Sequence, residues 1–244
     1  MRNLIISDIH ANYAALEAVL DDAPAIDQVW CLGDLVGYGP DPNECITRLR
    51  ALPNFSCILG NHDAALLGQI DINTFNRDAR LSNEWTQSVI TPDNLEYLKS
   101  LPDKLVMENA TLVHGSPRNP TWEYLMDLYT ASINFNNFDT PFCFVGHTHL
   151  PLSFLWKEDN ATQKISWELI KSDTNIILEN RMIINPGSVG QPRDQDARAA
   201  YAIFNTETNI WEAHRVAYDI ASVQQRILAH GLPERHAMRL DDGW

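Results

Sequence analysis

The chain has 244 residues, of which 45% are hydrophobic and 20% charged, a composition that predicts a single globular domain over 1–244. Asp and Glu outnumber Lys and Arg by 32 to 18, and the net charge of −14 argues against a nucleic-acid polymer or an anionic membrane as a partner. The sequence has no membrane-spanning run or secretory signal, so we expect a cytoplasmic protein whose four cysteines stay as thiols.

The first quarter of the chain alternates short apolar runs with helical patterns. Three runs are typical of buried strands: 3–7, 28–32 and 55–59. A helix is predicted after Asn12, and a second one after Asp41, with Pro42 in its first turn and Glu44 closing a capping box. This order predicts a βαβαβ unit with parallel strands.

The rest of the chain divides into a helical stretch, a series of short strands and a last helix. Residues 63–102 are predicted to be mostly helical, and the last helix begins after Asp219 and ends at Gly231. Between them, β-like runs are centred near Leu105, Leu112, Phe142, Leu152, Ile165, Ile176, Ile183, Tyr201 and Ile210. We expect an α/β architecture of two packed sheets with helices outside, in which insertions at about 63–102 and 116–141 border the site.

Five short motifs place polar side chains directly after predicted strands. They are Asp8-Ile9-His10, Gly33-Asp34, Gly60-Asn61-His62-Asp63, His114-Gly115 and Gly146-His147-Thr148-His149. Ligands bind at the carboxyl ends of strands in open α/β sheets, and residues two apart in an extended backbone, such as Asp8 and His10, project to the same side.

The ligand chemistry of these motifs indicates a binuclear metal site. Carboxylate, imidazole and amide oxygen suit borderline metals, and two metals are a recurring solution for phosphoryl transfer. A bridging ligand must be anionic and central, which favours Asp34.

Each motif also has a structural explanation when it is taken alone. The alternatives are Asp8 as a turn cap, Asn61 as a turn residue, His114 as a satisfied core histidine, and His147 and His149 beside a solvated loop. Five of the eight histidines fall in the motifs, and the other three are expected at the surface: His214, His230 and His236. The complete set, in this order after strand-like runs, is what points to one site.

As a set, the motifs resemble the calcineurin-like metallophosphoesterase superfamily, from Asn3 to about Asp194. Three stretches are further similar to a bacterial and archaeal branch often described as similar to protein phosphatases or diadenosine tetraphosphatases: 35–40, 114–118 and 185–193. The resemblance implies a four-layer αββα sandwich of two mixed sheets flanked by helices. It also implies two divalent metal ions; we expect manganese, with iron, nickel, cobalt, zinc or magnesium as alternatives.

The resemblance also implies a role for each motif residue. One metal would be held by Asp8, His10 and His149, and the other by Asn61, His114 and His147, with Asp34 between them. His62 would face the substrate, where it stabilises transition-state charge or protonates the leaving oxygen. Asp63 would orient His62, or equally cap the following helix. The predicted reaction is in-line attack of a metal-activated hydroxide on phosphorus, without a covalent intermediate.

Substrate recognition is predicted from residues outside the shared motifs. Arg118 and Arg193 are candidates for a phosphate clamp, with surface arginine as the alternative. Trp122 and Tyr124 could stack on a nucleobase or belong to an edge of the core, and Tyr38 is similarly ambiguous.

The leading prediction is an enzyme that hydrolyses a nucleotide, a dinucleoside polyphosphate or another small phosphoester. A phosphoprotein (Ser/Thr) phosphatase is the nearest alternative. A non-catalytic binding scaffold on the same fold is the alternative from another class, and it is disfavoured because every ligand and His62 are present. The sequence does not predict an oligomeric state.

Overall fold

The computed structural model describes residues 1–159, 162–179 and 181–244, and within them the strands form two mixed six-stranded sheets. The first sheet has the order β3-β2-β1-β11-β12-β9. Its strands are β1 Arg2–Ile6, β2 Gln28–Cys31, β3 Phe55–Cys57, β9 Thr174–Ile177, β11 Ala199–Asn205 and β12 Ile210–Val216. The strands β1, β2 and β3 are parallel, as predicted.

The second sheet has the order β4-β5-β6-β10-β7-β8. Its strands are β4 Lys104–Val106, β5 Ala110–Val113, β6 Phe142–Phe144, β7 Pro151–Asp159, β8 Thr162–Leu169 and β10 Met182–Pro186. β5, β6 and β10 run parallel, whereas β7 pairs antiparallel with both β10 and β8. Every strand predicted after residue 102 is therefore present.

Helices cover the outer faces of both sheets. The helices of the described residues are α1 Tyr13–Asp22, α2 Pro42–Arg50, α3 Asn61–Leu66, α4 Arg77–Val89, α5 Pro92–Ser100, α6 Leu128–Asn134, α7 Ile220–Ala229 and α8 Glu234–Asp242, with a short 3₁₀ turn at Ile72–Thr74. None of these helices combines the length and apolar character needed to cross a membrane.

Alternate residues of the central strands pack into different hydrophobic cores. Ile5 of β1 packs between the sheets with Trp30, Phe204 and Trp211, whereas its neighbours Leu4 and Ile6 face the helices. Both faces are buried, which explains why β1 is a continuous apolar run. Fully burying such a side chain stabilises the fold by about 1.5–3 kcal/mol. The predicted αββα sandwich is confirmed.

Helix starts show where local sequence signals decide the structure and where tertiary contacts override them. Asn12 caps α1 through a hydrogen bond from the Ala15 amide at 3.1 Å, as predicted. The capping box predicted at Asp41 is wrong, although α2 does begin at Pro42. The Asp41 carboxylate instead accepts the Tyr13 amide at 3.4 Å and pairs with Arg226 at 3.1 Å, because these partners lie across the packed helices.

The C-terminal helix α8 was not predicted from the sequence. Its few apolar positions are interspersed with charged residues, and its buried face consists of His236, Ala237 and Leu240. The prediction that His236 lies at the surface is wrong, because α8 carries this side chain inward, where it is 2% exposed. His214 is half-buried and His230 is exposed.

Candidate metal centre

The loops after β1, β2, β3, β5 and β6 bring the seven predicted metal ligands into one buried cluster. In the group Asp8, His10 and His149, the Nε2 atom of His149 lies 3.4 Å from Oδ1 of Asp8 and 3.0 Å from Nε2 of His10. This is the first triad that the resemblance implied.

Asp34 belongs to two further groups of candidate ligands. One contains His114 and His147, and Nε2 of His114 lies 3.3 Å from Oδ2 of Asp34. The other contains His10 and His62. Asn61 completes the cluster, with its Oδ1 2.9 Å from Nε2 of His114. The geometry therefore places Asp34 centrally, where a bridging ligand was predicted.

The backbone at the ligands differs from the prediction. Asp8, His10, His147 and His149 have φ angles of 55°, 48°, 66° and 60°, so these pairs lie in left-handed turns and the extended geometry is wrong. Asp34 has φ of 53°. Such conformations cost roughly 1–3 kcal/mol each and persist only where surrounding contacts enforce them. Here the amides of Asp8 and His10 donate to the carbonyls of Gly33 and Asp34 at 3.1 and 2.9 Å.

Gly60 is required because the chain passes very close to Asp34. A Cβ atom at Gly60 would lie 2.1 Å from Oδ1 of Asp34. That same oxygen accepts the backbone amide of His62 at 2.8 Å. The start of α3 is thus fixed against the central carboxylate.

Hydrogen bonds to backbone carbonyls determine which nitrogen of each histidine faces the cluster. The Nδ1 atom lies 3.0 Å from the Val36 carbonyl in His10 and 2.8 Å from the Leu32 carbonyl in His114. In His149, Nδ1 lies 2.5 Å from the Gln191 carbonyl. In His147, it is Nε2 that lies 3.1 Å from a carbonyl, that of Trp122. A carbonyl only accepts, so in each neutral ring the other nitrogen carries a lone pair.

The ring nitrogens that carry these lone pairs lie close to one another and to the carboxylates of the cluster. Two unprotonated Nε2 atoms 3.0 Å apart, in His10 and His149, repel unless a cation lies nearby. The donor set of imidazole, carboxylate and amide oxygen therefore fits divalent metal ions, and the carbonyl contacts are the outer hydrogen bonds that orient ligating histidines.

The charges of the cluster act strongly on one another. Burial raises the pKa of Asp8 to about 6. Burial also acts to raise the pKa of Asp34, but nearby His114 and His62 lower it well below its usual value. For His114 burial acts to lower the pKa, whereas the charge of Asp34 and its hydrogen bond raise it to about 9. Asp34 is therefore the anionic centre of the site.

His62 lies beside the cluster and is positioned by α4. Its Nδ1 is 3.3 Å from Oδ1 of Asn83, and its ring packs between those of Tyr38 at 4.4 Å and Phe75 at 4.9 Å. Burial lowers the pKa of His62 to about 4. Gly37 leaves room for the ring, since a Cβ there would lie 2.3 Å from Nδ1.

Asp63 does not orient His62, which corrects the sequence-based prediction. Its carboxylate accepts the amides of Leu35 at 3.0 Å, Val36 at 3.1 Å and Gly60 at 3.0 Å. Asp63 stands at the third position of α3, and its hydrogen bond from the Gly60 amide closes a capping box at the start of that helix, in line with the alternative prediction of a capping role. Its side chain points to the loop after β2, so it stabilises the backbone around Asp34 instead.

The predicted substrate residues lie in two different environments. Nη2 of Arg193 is 3.3 Å from the Tyr38 hydroxyl, and its charge acts on Asp8, His10 and His62. Arg118 is half exposed and forms an ion pair with Glu123. Its prediction as a phosphate clamp is not supported, because its charge already has a partner.

Aromatic side chains surround the cluster on one side. The ring of Tyr124, 47% exposed, stacks on His147 with centroids 3.8 Å apart. The ring of Trp122 lies 6.2 Å from His147 and 5.1 Å from Phe75. Trp122 and Tyr124 are therefore placed beside the candidate metal ligands rather than at a distant edge of the core.

Comparison with known proteins agrees with this geometry. The sequence model of a family described as "Calcineurin-like phosphoesterase superfamily domain" matches residues 1–209. The chain belongs to this superfamily. All five motifs lie within the matched span, and the family is metal-dependent, in agreement with the candidate ligand groups. The predicted resemblance is confirmed.

Two proteins similar to this chain match it along nearly their whole length. An uncharacterized protein of Methanocaldococcus jannaschii is 39% identical over 245 residues, which is 97% of this chain and 96% of that protein. A metallophosphoesterase from Sphaerobacter thermophilus with a known crystal structure is 45% identical, with a TM-score of 0.90 and 100% coverage of both chains.

The similarity to enzymes with a named substrate is more local. A symmetrical bis(5'-nucleosyl)-tetraphosphatase of Erwinia tasmaniensis is 45% identical over 71 residues, which is 28% of this chain and 26% of that enzyme. The matched part is too short to carry substrate specificity from that enzyme to this chain.

Sequence reasoning missed Asn83 and His236, which both lie behind the site. Asn83 is on the buried face of α4, together with the small or polar residues Ala79, Ser82 and Thr86. Their spacing of three and four residues is helical, but a search for apolar periodicity does not detect polar side chains. His236 packs its ring 4.9 Å from that of Tyr38, a contact without a local sequence signal.

Proposed function

We propose that the protein is a binuclear-metal phosphoesterase that hydrolyses a small phosphorylated molecule, with a nucleotide or dinucleoside polyphosphate as the leading substrate. The observation that carries this proposal is the set of three buried candidate ligand groups, two of which share Asp34 and two of which share His10. The ligands would be Asp8, His10 and His149 for one ion and Asn61, His114 and His147 for the other.

The residues around the ligands have distinct roles in the proposed reaction. Divalent ions would supply Lewis-acid stabilisation of phosphoryl oxygens and activation of water at neutral pH. Asn83 accepts from Nδ1 of His62, which leaves Nε2 of His62 available to the substrate. A bound phosphate favours the protonated form of that ring, which then donates its proton to the leaving oxygen. Arg193 binds a phosphate oxygen through its guanidinium group.

Several features favour a small substrate. The aromatic rings of Phe75, Trp122 and Tyr124 beside the ligands offer surfaces on which a nucleobase stacks. The net charge of −14 disfavours a nucleic-acid polymer or an anionic membrane as partner, and the buried free cysteines are in keeping with a cytoplasmic location. A phosphoprotein phosphatase remains the enzymatic alternative.

A metal-by-substrate activity matrix tests this proposal. The chelated protein is loaded with manganese, magnesium, nickel or cobalt and assayed against nucleotides, dinucleoside polyphosphates, phosphopeptides and aryl phosphates. We expect metal-dependent turnover with the highest kcat/KM for a nucleotide substrate. Turnover of phosphoserine peptides without nucleotide hydrolysis would support the alternative, and metal binding without any hydrolysis would favour a binding scaffold.

A further inference from the structure

Three neighbouring arginines form no ion pair with a carboxylate in the described part of the chain, and the first of them borders the candidate metal centre. They are Arg193, which follows β10, and Arg235 and Arg239 of α8, and we call them the arginine cluster. Both α8 residues lie beyond the span 1–209 that matches the superfamily. They therefore lie outside the span that the superfamily model matches.

Tyr38 connects the members of the arginine cluster. Cζ of Arg193 lies 5.8 Å from the centre of the Tyr38 ring. The ring of His236 lies 4.9 Å from the same ring, and Arg239 follows His236 by three positions, on the same face of α8. Burial lowers the pKa of Arg239, and the charges of Arg193 and Arg235 lower it further. The three guanidinium groups thus share one positive field.

This arrangement is unfavourable without an anion. Arg235 and Arg239 are four residues apart in one helix, a spacing at which like charges destabilise the helix. In the described part of the chain, Nε of Arg193 and Nε of Arg239 are buried and have no hydrogen-bond partner. Asp78 acts on Arg239 more weakly than either arginine does.

Several other arginines of this acidic chain are neutralised. Arg198, Arg215 and Arg226 each form an ion pair with an aspartate. In contrast, Arg235 and Arg239 have the aromatic ring of Trp244 as neighbour, with Cζ 5.3 and 5.2 Å from its centre. Such a cation–π contact holds the guanidinium groups in place and leaves donors for a ligand.

We propose that the arginine cluster is a second anion subsite, which binds a phosphate group of the substrate other than the one that is hydrolysed. The preferred substrate then carries a polyphosphate chain rather than a single phosphate. This inference rests on the proposed function. Arg193 links the two sites, because its charge acts on Asp8 and His149 of the metal centre as well as on Arg239.

The test compares inorganic tripolyphosphate with orthophosphate, both measured by calorimetry on the metal-loaded protein. We expect tripolyphosphate to bind more tightly, and Arg239→Met to weaken tripolyphosphate binding about tenfold or more, the loss typical of one charge-assisted hydrogen bond. Orthophosphate binding should change less than about twofold. Arg48→Met is the matched control, because Arg48 lies on α2 and pairs with Glu17 at 2.7 Å.

Additional variants separate binding from folding. Arg235→Met removes an exposed member of the cluster and should weaken tripolyphosphate binding in the same direction. Arg239→Lys keeps the charge and should retain part of the affinity for tripolyphosphate. This variant therefore tests the proposal even if Arg239→Met does not fold. Equal losses of affinity for tripolyphosphate and orthophosphate would overturn the proposal. It would also be overturned if Arg235→Met or Arg239→Met bound tripolyphosphate as tightly as the wild type.

Turnover distinguishes this inference from the proposed function. With an active enzyme, Arg239→Met should lower kcat/KM for a nucleoside triphosphate about tenfold and leave that for an aryl phosphate nearly unchanged. If the wild type hydrolyses nothing but binds tripolyphosphate through Arg239, the proposed function fails and the subsite stands. If hydrolysis occurs and Arg239→Met changes neither binding nor kcat/KM, the subsite fails alone.

Discussion

At the residue scale, the contact between Asn83 and His62 connects a helix outside the superfamily motifs to the proposed reaction. Loss of the Nδ1 hydrogen bond leaves the imidazole free to rotate and to change tautomer. We expect Asn83→Ala to lower kcat about tenfold or more, because a positioned general acid contributes roughly 10²–10⁴ in rate. KM and metal content should be unchanged.

Two further variants test whether Asn83 acts through His62. Asn83→Asp keeps an acceptor oxygen and should restore most of kcat, whereas Gln87→Ala, an exposed residue of the same helix, should have no effect. A loss in Asn83→Ala that Asn83→Asp does not rescue, or that comes with metal loss, would assign Asn83 a structural role only.

His236 makes the stability of the protein sensitive to acid. Burial lowers its pKa to about 4, below the 6.5 of an unfolded histidine, so the unfolded chain binds the proton first as the pH falls. This part of the stability is present above pH 6.5 and is lost as the pH falls toward 4. It amounts to about 2 kcal/mol between pH 7 and pH 5.

Denaturant titrations at pH 7 and pH 5 measure this effect. His236→Gln removes the titrating group. Between pH 7 and pH 5, the free energy of unfolding should therefore decrease by about 2 kcal/mol less in this variant than in the wild type. His230→Gln, at an exposed position, should behave as the wild type does. The same pH dependence in wild type and His236→Gln would contradict the burial of a neutral ring.

At the element scale, the loop after β10 holds the loop after β1 in its left-handed turn. Gly190 donates to the Asp8 carbonyl at 2.9 Å, and its own carbonyl accepts from Asn12 at 2.9 Å. A Cβ at Gly190 would lie 1.9 Å from the Ile9 carbonyl oxygen. We expect Gly190→Ala to destabilise the fold by about 1–3 kcal/mol and to weaken metal binding at Asp8 and His10.

Gly68→Ala provides the comparison. Gly68 has φ of +72° but nothing within 4 Å of the added Cβ, so this variant measures the cost of the left-handed conformation alone, about 1–2 kcal/mol. Unfolding titrations and metal affinity are measured on both variants. Unchanged metal affinity in Gly190→Ala would show that the two loops are independent.

The elements differ in how far the sequence could predict them. The strands were predictable because continuous apolar runs such as Leu4 to Ile6 serve cores on both faces. The cluster of candidate ligands was predictable because each motif directly follows a strand and because the set of motifs resembles a known superfamily. α8 and Asn83 were not, since their buried positions include polar side chains whose partners are distant in the sequence. The left-handed turns at Asp8 and His147 also depend on tertiary hydrogen bonds.

At the scale of the whole molecule, the core between the sheets should make folding cooperative. Ile5, Trp30 and Trp211 of the first sheet pack against Phe142 and Phe144 of the second, so neither sheet keeps its core alone. The prediction of one domain over 1–244 leads us to expect a single calorimetric transition after metal removal, with equal calorimetric and van't Hoff enthalpies. Two separate transitions would contradict it.

The charge distribution over the molecule determines whether a phosphorylated substrate is attracted to the site. An acidic chain with a net charge of −14 repels anions in general, so a phosphorylated substrate needs a local positive field. The arginine cluster and the divalent ions that fit the ligand groups would supply that field together.

The most direct test of a binuclear phosphoesterase is to measure bound metal and kcat together in Asp34→Ala and His62→Ala. We predict that Asp34→Ala loses metal and activity, because the anion that lies between the two proposed ligand sets is gone. His62→Ala should keep its full metal content and lose roughly 10²–10⁴ in kcat. Full activity in Asp34→Ala, or loss of metal in His62→Ala, would contradict the assignment of these residues.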